Sequence, residues 1–257
     1  MKIDFIMQNS RLAFCTAIKD RYNSLVITLP ENIAKIPQDC CICVVDYASK
    51  SDAGERWILN TFAEEIRLGK LIVFRVTNEI DWSSPKAKNL AHRLVHSDYM
   101  VNLDCDNFIS RLDVKVFLNI AVKKIPSHQC SSQFLGSYGR IGIPSDTFYA
   151  IGGYDEGMLP MGYQDVDLLT RASSYHGGHA RLSWNDSPPP IDHDKPKLFA
   201  YARDDKFFEE INTLNMKRAM LRKEMSGIVI KDSFSSFRGR LNGRQCNIDG
   251  FGKLTPM

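Results

Sequence analysis

The chain has 257 residues, 44% of them apolar, and a formal net charge of +3. That length and apolar share support a substantial core and exclude a disordered protein, and so small a net charge does not by itself imply nucleic acid. No run approaches the roughly eighteen uninterrupted apolar residues of a membrane-spanning helix, and Met1-Lys2-Ile3-Asp4 lacks the basic start and apolar run of a signal peptide, so the expected location is the cytoplasm. Seven cysteines, an odd count with no zinc-quartet spacing, are expected as buried free thiols.

In chain order, Leu12 to Thr16 predicts a first strand, followed by the polar Lys19-Asp20-Arg21 and a helical pattern through Leu25, Leu29 and Ile33. Cys41 to Val45 predicts a buried second strand ending at Asp46. Ser49 to Gly54 is a loop, about Glu55 to Leu68 a helix, and Leu71 to Val76 a third strand; a helix over about Pro85 to His96 leads into the strand that ends at Asp104. This alternation argues for an α/β fold with a mostly parallel sheet covered on both faces. Ligands of such sheets sit beyond the carboxyl ends of the strands, so Asp46 and the pair Asp104 and Asp106 can converge on one cleft.

After Asp106 the alternation stops. Ser127 to Gly139 is expected as a polar, mobile loop, and Ser187-Pro188-Pro189-Pro190 punctuates the chain. About Lys206 to Met225 reads as a helix with Phe207, Phe208, Ile211, Leu214 and Leu221 available for burial and with bases toward its end. The expected division is a catalytic unit over 1–205 and a basic, helical or irregular C-terminal extension over 206–257.

The segment Tyr99-Met100-Val101-Asn102-Leu103-Asp104-Cys105-Asp106-Asn107 ends an apolar run in two carboxylates one residue apart. On extended backbone, residues i and i+2 share a face, so Asp104 and Asp106 can share one cation. Carboxylate oxygens suit Mg2+ or Mn2+, ions held by one or two protein carboxylates with water and substrate phosphates completing the shell. An EF-hand is excluded, because its sixth position requires Gly and Ile109 stands there. A second motif runs from Ile151-Gly152-Gly153-Tyr154-Asp155-Glu156-Gly157-Met158 to Gly162-Tyr163-Gln164-Asp165-Val166-Asp167-Leu168-Leu169-Thr170-Arg171, where glycine turns precede a helix that opens with acids.

In order and spacing these parts resemble nucleotide-sugar-dependent glycosyltransferases of the GT-A (Rossmann-like) fold, nearest to family-2-type enzymes and the galactosyltransferase C-terminal motif. The resemblance runs from about Leu12 to Asp194. It implies that Thr16 and Asp46 line the nucleotide pocket, Asp46 reading the uracil of a UDP-sugar, with Lys88 and Asn89 near the ribose and diphosphate. Asp104 and Asp106, with His193 completing the set, would hold Mn2+ or Mg2+, Asp104 also meeting the donor. Asp165 matches the acid that takes the acceptor's proton, and Gln164 stands beside it at the acceptor where the family usually has Glu. An inverting transfer of a hexose or N-acetylhexosamine to a glycan or other hydroxyl acceptor, in surface-glycan synthesis, is the expected activity. Gly153 to Met158 also resembles retaining N-acetylgalactosaminyltransferases, which leaves stereochemistry open. A noncatalytic carbohydrate- or nucleic-acid-binding module on the same fold is the alternative, with nucleic acid the less expected ligand. The bases Arg218, Arg222 and Lys223 suggest peripheral contact with the inner face of a membrane.

Overall fold

The computed structural model describes residues 9–134, 137–192, 205–230 and 234–257. Strands β1 (Ser10–Ile18), β2 (Cys40–Asp46), β3 (Leu71–Val76) and β4 (Ser97–Asn102) pair in parallel in the order β3-β2-β1-β4. Successive side chains of a strand alternate between faces, and here both faces are apolar. Leu12, Phe14, Ile42, Val44, Val73 and Val101 pack on one side against α1 (Tyr22–Ile33), α2 (Ala53–Thr61) and α5 (Arg111–Lys123). Ala13, Cys15, Cys43, Val45, Phe74 and Met100 pack on the other against α4 (Ser84–Arg93), α6 (Ser145–Ala150) and α7 (Gln164–His176). The short α3 (Ala63–Arg67) leads into β3. All seven cysteines are free and six are buried, Cys130 being exposed; burial pushes the Cys15 and Cys43 thiols well above their ordinary range.

The parallel unit is extended at both edges. Beyond β4 lie β6 (Ile141–Pro144), β5 (Ser127–Gln129) and β7 (Ala180–Leu182); beyond β3 lie β8 (Phe237–Leu241), β9 (Arg244–Ile248) and β10 (Leu254–Pro256). The whole sheet runs β10-β9-β8-β3-β2-β1-β4-β6-β5-β7. The expected loop over Ser127 to Gly139 therefore begins as a buried strand. Its polar side chains are buried because each is partnered: Tyr99 donates to Ser127 Oγ at 2.8 Å, Gln129 Nε2 to Asp113 at 2.6 Å, and His128 Nε2 lies 3.0 Å from the Tyr138 carbonyl.

Helix α8 (Asp205–Ser226) forms where the sequence predicts it but buries a different face. Ile211, Asn215 and Ala219 are inside, whereas Leu214 and Leu221 are 53% and 58% exposed. After it, β8 hydrogen-bonds to β3, so the C-terminal region belongs to the central sheet rather than to an irregular tail. Among the described residues no helix is long and apolar enough to cross a membrane.

Candidate active site

Pairing of β4 with β1 ends at Asn102, opposite Cys15, and the Leu103 amide makes a last bond to the Cys15 carbonyl at 2.9 Å. The chain then turns, the Asn107 amide closing onto the Asp104 carbonyl at 2.9 Å. The extended geometry expected for Asp104 and Asp106 is thus replaced by a tight turn, since the last strand partner has been left behind. The two carboxylates meet different surroundings. Asp104 is 35% exposed and lies 3.9 Å from Lys88 Nζ, while Asp106 is 5% exposed and accepts from Arg21 at 2.9 Å and Asn107 Nδ2 at 2.7 Å. Thr16 supports this turn from below by donating to the Leu103 carbonyl at 2.8 Å. The Gly139 backbone passes so close that a Cβ there would sit 2.9 Å from an Asp104 oxygen.

Lys88 on α4 joins this turn to the second motif. Its ammonium donates to Asp165 Oδ1 at 2.7 Å, and it is almost fully buried. Burial works against the Lys88 charge, but Asp165 and Asp104 outweigh it and raise its pKa. Burial pushes the Asp165 carboxyl above its ordinary value and the Asp104 charge acts in the same direction, with Lys88 holding part of the shift back. Asp165 keeps 17% exposure, so it is a carboxylate with access to the cleft. Gln164 Nε2 reaches Ser84 Oγ at 3.3 Å, and its buried Oε1 has no hydrogen-bond partner among the described residues. Asn89 bonds the loop itself: its Nδ2 donates to the Tyr154 carbonyl and to Glu156 at 2.9 Å each and its Oδ1 accepts from the Tyr154 amide at 2.8 Å, so it holds the Gly-Gly-Tyr-Asp-Glu loop.

Asp46 ends β2 fully buried. It accepts from Tyr22 at 3.0 Å, from the Ser49 amide at 2.9 Å and from Arg75. Because Arg21 grips Asp106 and the adjacent Tyr22 grips Asp46, the start of α1 ties the two strand ends together. Arg75 lies opposite Arg240 of β8, and Glu55 sits between the two guanidiniums, 4.0 Å from Arg75 Nε and 3.0 Å from Arg240 Nε. A depression of about 510 Å3 opens here, lined by Ser49, Ser51, Arg75, Thr77, Glu79 and Arg240 among others. Sequence reasoning missed Arg75, Arg240 and Glu55, which carry no local motif and meet only through the β3–β8 pairing.

For a divalent cation, the oxygens of Asp104 and Asp106 are donors of the right chemistry, and Asp104 keeps its carboxylate partly exposed. Among the described residues no three His, Cys, Asp or Glu side chains come together, and His193 lies outside them, so the described protein ligands would be one or both of these carboxylates.

No family model matches the sequence, and no curated protein matches it. Solved structures do match its shape. One is a mannosyltransferase from Pyrobaculum calidifontis in complex with GDP-Man and Mn2+, with a TM-score of 0.58 at 14% identity, covering 87% of this chain and 66% of that one. Another is S. aureus TarS 1–349 in complex with UDP-GlcNAc, with a TM-score of 0.59 at 13% identity, covering 84% of this chain and 68% of that one. The chain thus spans about two thirds of each, and what they share is a fold. The fold is GT-A-like. Each of those two proteins holds a nucleotide sugar, and the mostly parallel sheet covered by helices on both faces that the sequence predicts agrees with this fold.

Proposed function

We propose that the protein is a metal-dependent glycosyltransferase that moves a hexose or N-acetylhexosamine from a UDP-sugar to the hydroxyl of a glycan acceptor with inversion. The observation that carries this reading is the Lys88 bridge: one buried ammonium lies between a metal-type carboxylate, Asp104, and a second carboxylate with a raised pKa, Asp165, on a GT-A-like fold. Donor and acceptor chemistry need those two acids side by side.

In this reading Asp165 takes the acceptor proton as the hydroxyl oxygen attacks the anomeric carbon, the sugar–phosphate bond breaks, and the nucleoside diphosphate departs. Asp104 and Asp106, with His193 as the family resemblance implies, would hold Mn2+ or Mg2+, which would supply positive charge against the diphosphate. Lys88 adds positive charge at the same place. The uracil sits against the depression beside Asp46, and Asn89 supports the donor side through the loop it holds. Gln164, beside Asp165, meets the acceptor. Inversion is favoured over retention because Asp155 is sealed at 2% exposure beneath Arg218 and Arg222 and Glu156 is engaged by Asn89 and Ser235, which leaves Asp165 as the acid of this motif not tied up within the loop.

Hydrolysis of a panel of nucleotide sugars with Mn2+ and no acceptor tests the proposal. Release of UDP in preference to GDP, abolished by chelator, is the expected result; no release from any donor would refute catalysis and leave a binding module.

A further inference from the structure

Asp165 stands at the start of α7, and nothing local explains why it stays there. Tyr163 precedes the helix with φ +64, a left-handed conformation that costs a non-glycine residue energy, and no side chain caps the helix. Gly162 before it has φ +82, and a Cβ there would sit 3.1 Å from Asn212 of α8. Such a turn persists only where its surroundings over-determine it.

Those surroundings are mainly α8, with α4 adding the Ser84 amide on the Pro160 carbonyl at 2.9 Å and Lys88 on Asp165. Asn215, at 1% exposure, directs its whole amide at this loop. Its Nδ2 donates to the carbonyls of Leu159 at 3.2 Å, Met161 at 2.8 Å and Gly162 at 2.8 Å, while its Oδ1 accepts from the Leu159 amide at 2.8 Å. One and two turns further along the same face come Arg218 and Arg222. Arg218 donates to both oxygens of Asp155 at 3.0 Å. Arg222 bridges Asp155, at 3.1 Å, to Asp167 in the first turn of α7. Arg171 closes the network from within α7, donating to Asp167 at 2.9 Å and to the Ile151 and Gly153 carbonyls. Positions i, i+3 and i+7 lie on one helical face, so a single stripe of α8 fixes both ends of the loop that presents Asp165.

We propose that α8 is the positioning element for the Asp165 carboxylate and that Asn215 is its principal positioning residue, setting the direction of the base by holding the left-handed Tyr163 turn. This rests on Asp165 acting as the base, and it assigns Arg218 and Arg222 to the site rather than to an anionic surface.

The test uses the full chain with UDP-GlcNAc hydrolysis in Mn2+, UDP binding by calorimetry, and amide hydrogen exchange. Asn215→Ala should leave UDP affinity within about twofold and lower the hydrolysis rate by about tenfold to 10²-fold, as misplacement of a reacting group does. In an Asp165→Asn background the same change should have no further effect, because Asn215 acts through Asp165. Amides of residues 159–167 should exchange faster while those of β1 to β4 do not. Arg218→Ala, a milder change at a half-exposed residue, should move the rate and the exchange in the same direction, and Lys217→Ala on the solvent face should move neither. Equal rate losses in the two backgrounds, or unchanged exchange over 159–167 in Asn215→Ala, would overturn the proposal. A wild-type protein that hydrolyses no nucleotide sugar would defeat the catalytic reading instead, and the exchange result would still decide whether Asn215 holds the turn.

Discussion

The two walls of the cleft are built by different means. On the wall proposed for the donor, Asp46, Asp104 and Asp106 follow the ends of parallel strands whose backbone ladders place them within a few residues of where pairing stops. On the wall proposed for the acceptor, Asp165 follows a left-handed turn that is hydrogen-bonded to a helix fifty residues further along the chain. One wall is positioned by regular backbone hydrogen bonding, the other by a polar network in which the half-exposed Arg218 joins the more buried Asn215, Arg222, Arg171, Asp155 and Asp167. A regular ladder tolerates side-chain change away from the carboxylates themselves. A polar network fails when one partner is removed, because the remaining buried groups lose their compensation.

The largest effect expected is on the wall proposed for the donor, where the buried Arg75–Asp46 ion pair breaks the rule. Arg75→Ala strands the fully buried Asp46 carboxylate and should cost about 3–5 kcal/mol in denaturant unfolding. A loss below about 1 kcal/mol would mean that Tyr22 and Ser49 suffice to hold Asp46.

Asp165→Asn should lower turnover by a factor of about 10² or more, about 2.7 kcal/mol in the barrier, with donor affinity little changed. Because burial raises the Asp165 pKa, the acid limb of the wild-type rate profile should rise with pH through a midpoint above the ordinary aspartate value of about 3.9. The variant should lose that limb; near-normal turnover would remove Asp165 from the mechanism.

Asp104→Asn should weaken UDP binding in Mn2+ by about tenfold, about 1.4 kcal/mol, and should make binding insensitive to chelator. Calorimetry in which wild type and variant respond alike to chelator would take Asp104 out of the metal site.

A smaller effect separates the walls by pH. Burial tends to raise the Asp155 pKa, but its hydrogen bonds and charge contact with Arg218 outweigh this and lower it. A depressed folded-state pKa contributes stability above the unfolded value of about 3.9, and that contribution is lost as pH falls through the folded value. Acid unfolding should therefore loosen the 155–167 loop, and Asp155→Asn should flatten the pH dependence of its amide exchange; an unchanged profile would dismiss the pair as a source of acid sensitivity.

The smallest effect concerns the outer face of α8. Leu214→Ser and Leu221→Ser replace exposed side chains and should change stability by no more than about 0.5 kcal/mol each in thermal unfolding. Losses above about 2 kcal/mol would restore the burial that hydrophobic periodicity assigns to them.

That last comparison shows where sequence reading stops. Periodicity placed α8 and named five apolar residues for its inner face, yet of these only Ile211 is buried, beside Asn215 and Ala219. Apolar patterning ranks faces by hydrophobicity and is blind to a polar residue that satisfies four backbone groups at once. The expected loop at Ser127 to Gln129 has the same explanation, since a strand of Ser, His and Gln is buried only because Tyr99, Asp113 and the Tyr138 carbonyl partner it.

By itself the sequence determined the parallel β1 to β4 unit, its two apolar faces, the free cysteines, the GT-A-like fold class, and the residues Lys88, Asp104 and Asp165 that meet in the cleft. The strands, their faces and the thiols are written in local periodicity and composition, whereas the fold family and the choice of Lys88 and Asp165 are what the resemblance to a known family implies. Only the tertiary structure decided that Asp104 and Asp106 lie on a turn with separate partners, that Arg75 and Arg240 meet around Glu55, and that the C-terminal helix secures the loop of Asp165. Those arrangements depend on pairing between residues far apart in the chain. A buried charge or amide advertises its need for a partner, but only the packed fold selects which partner meets it.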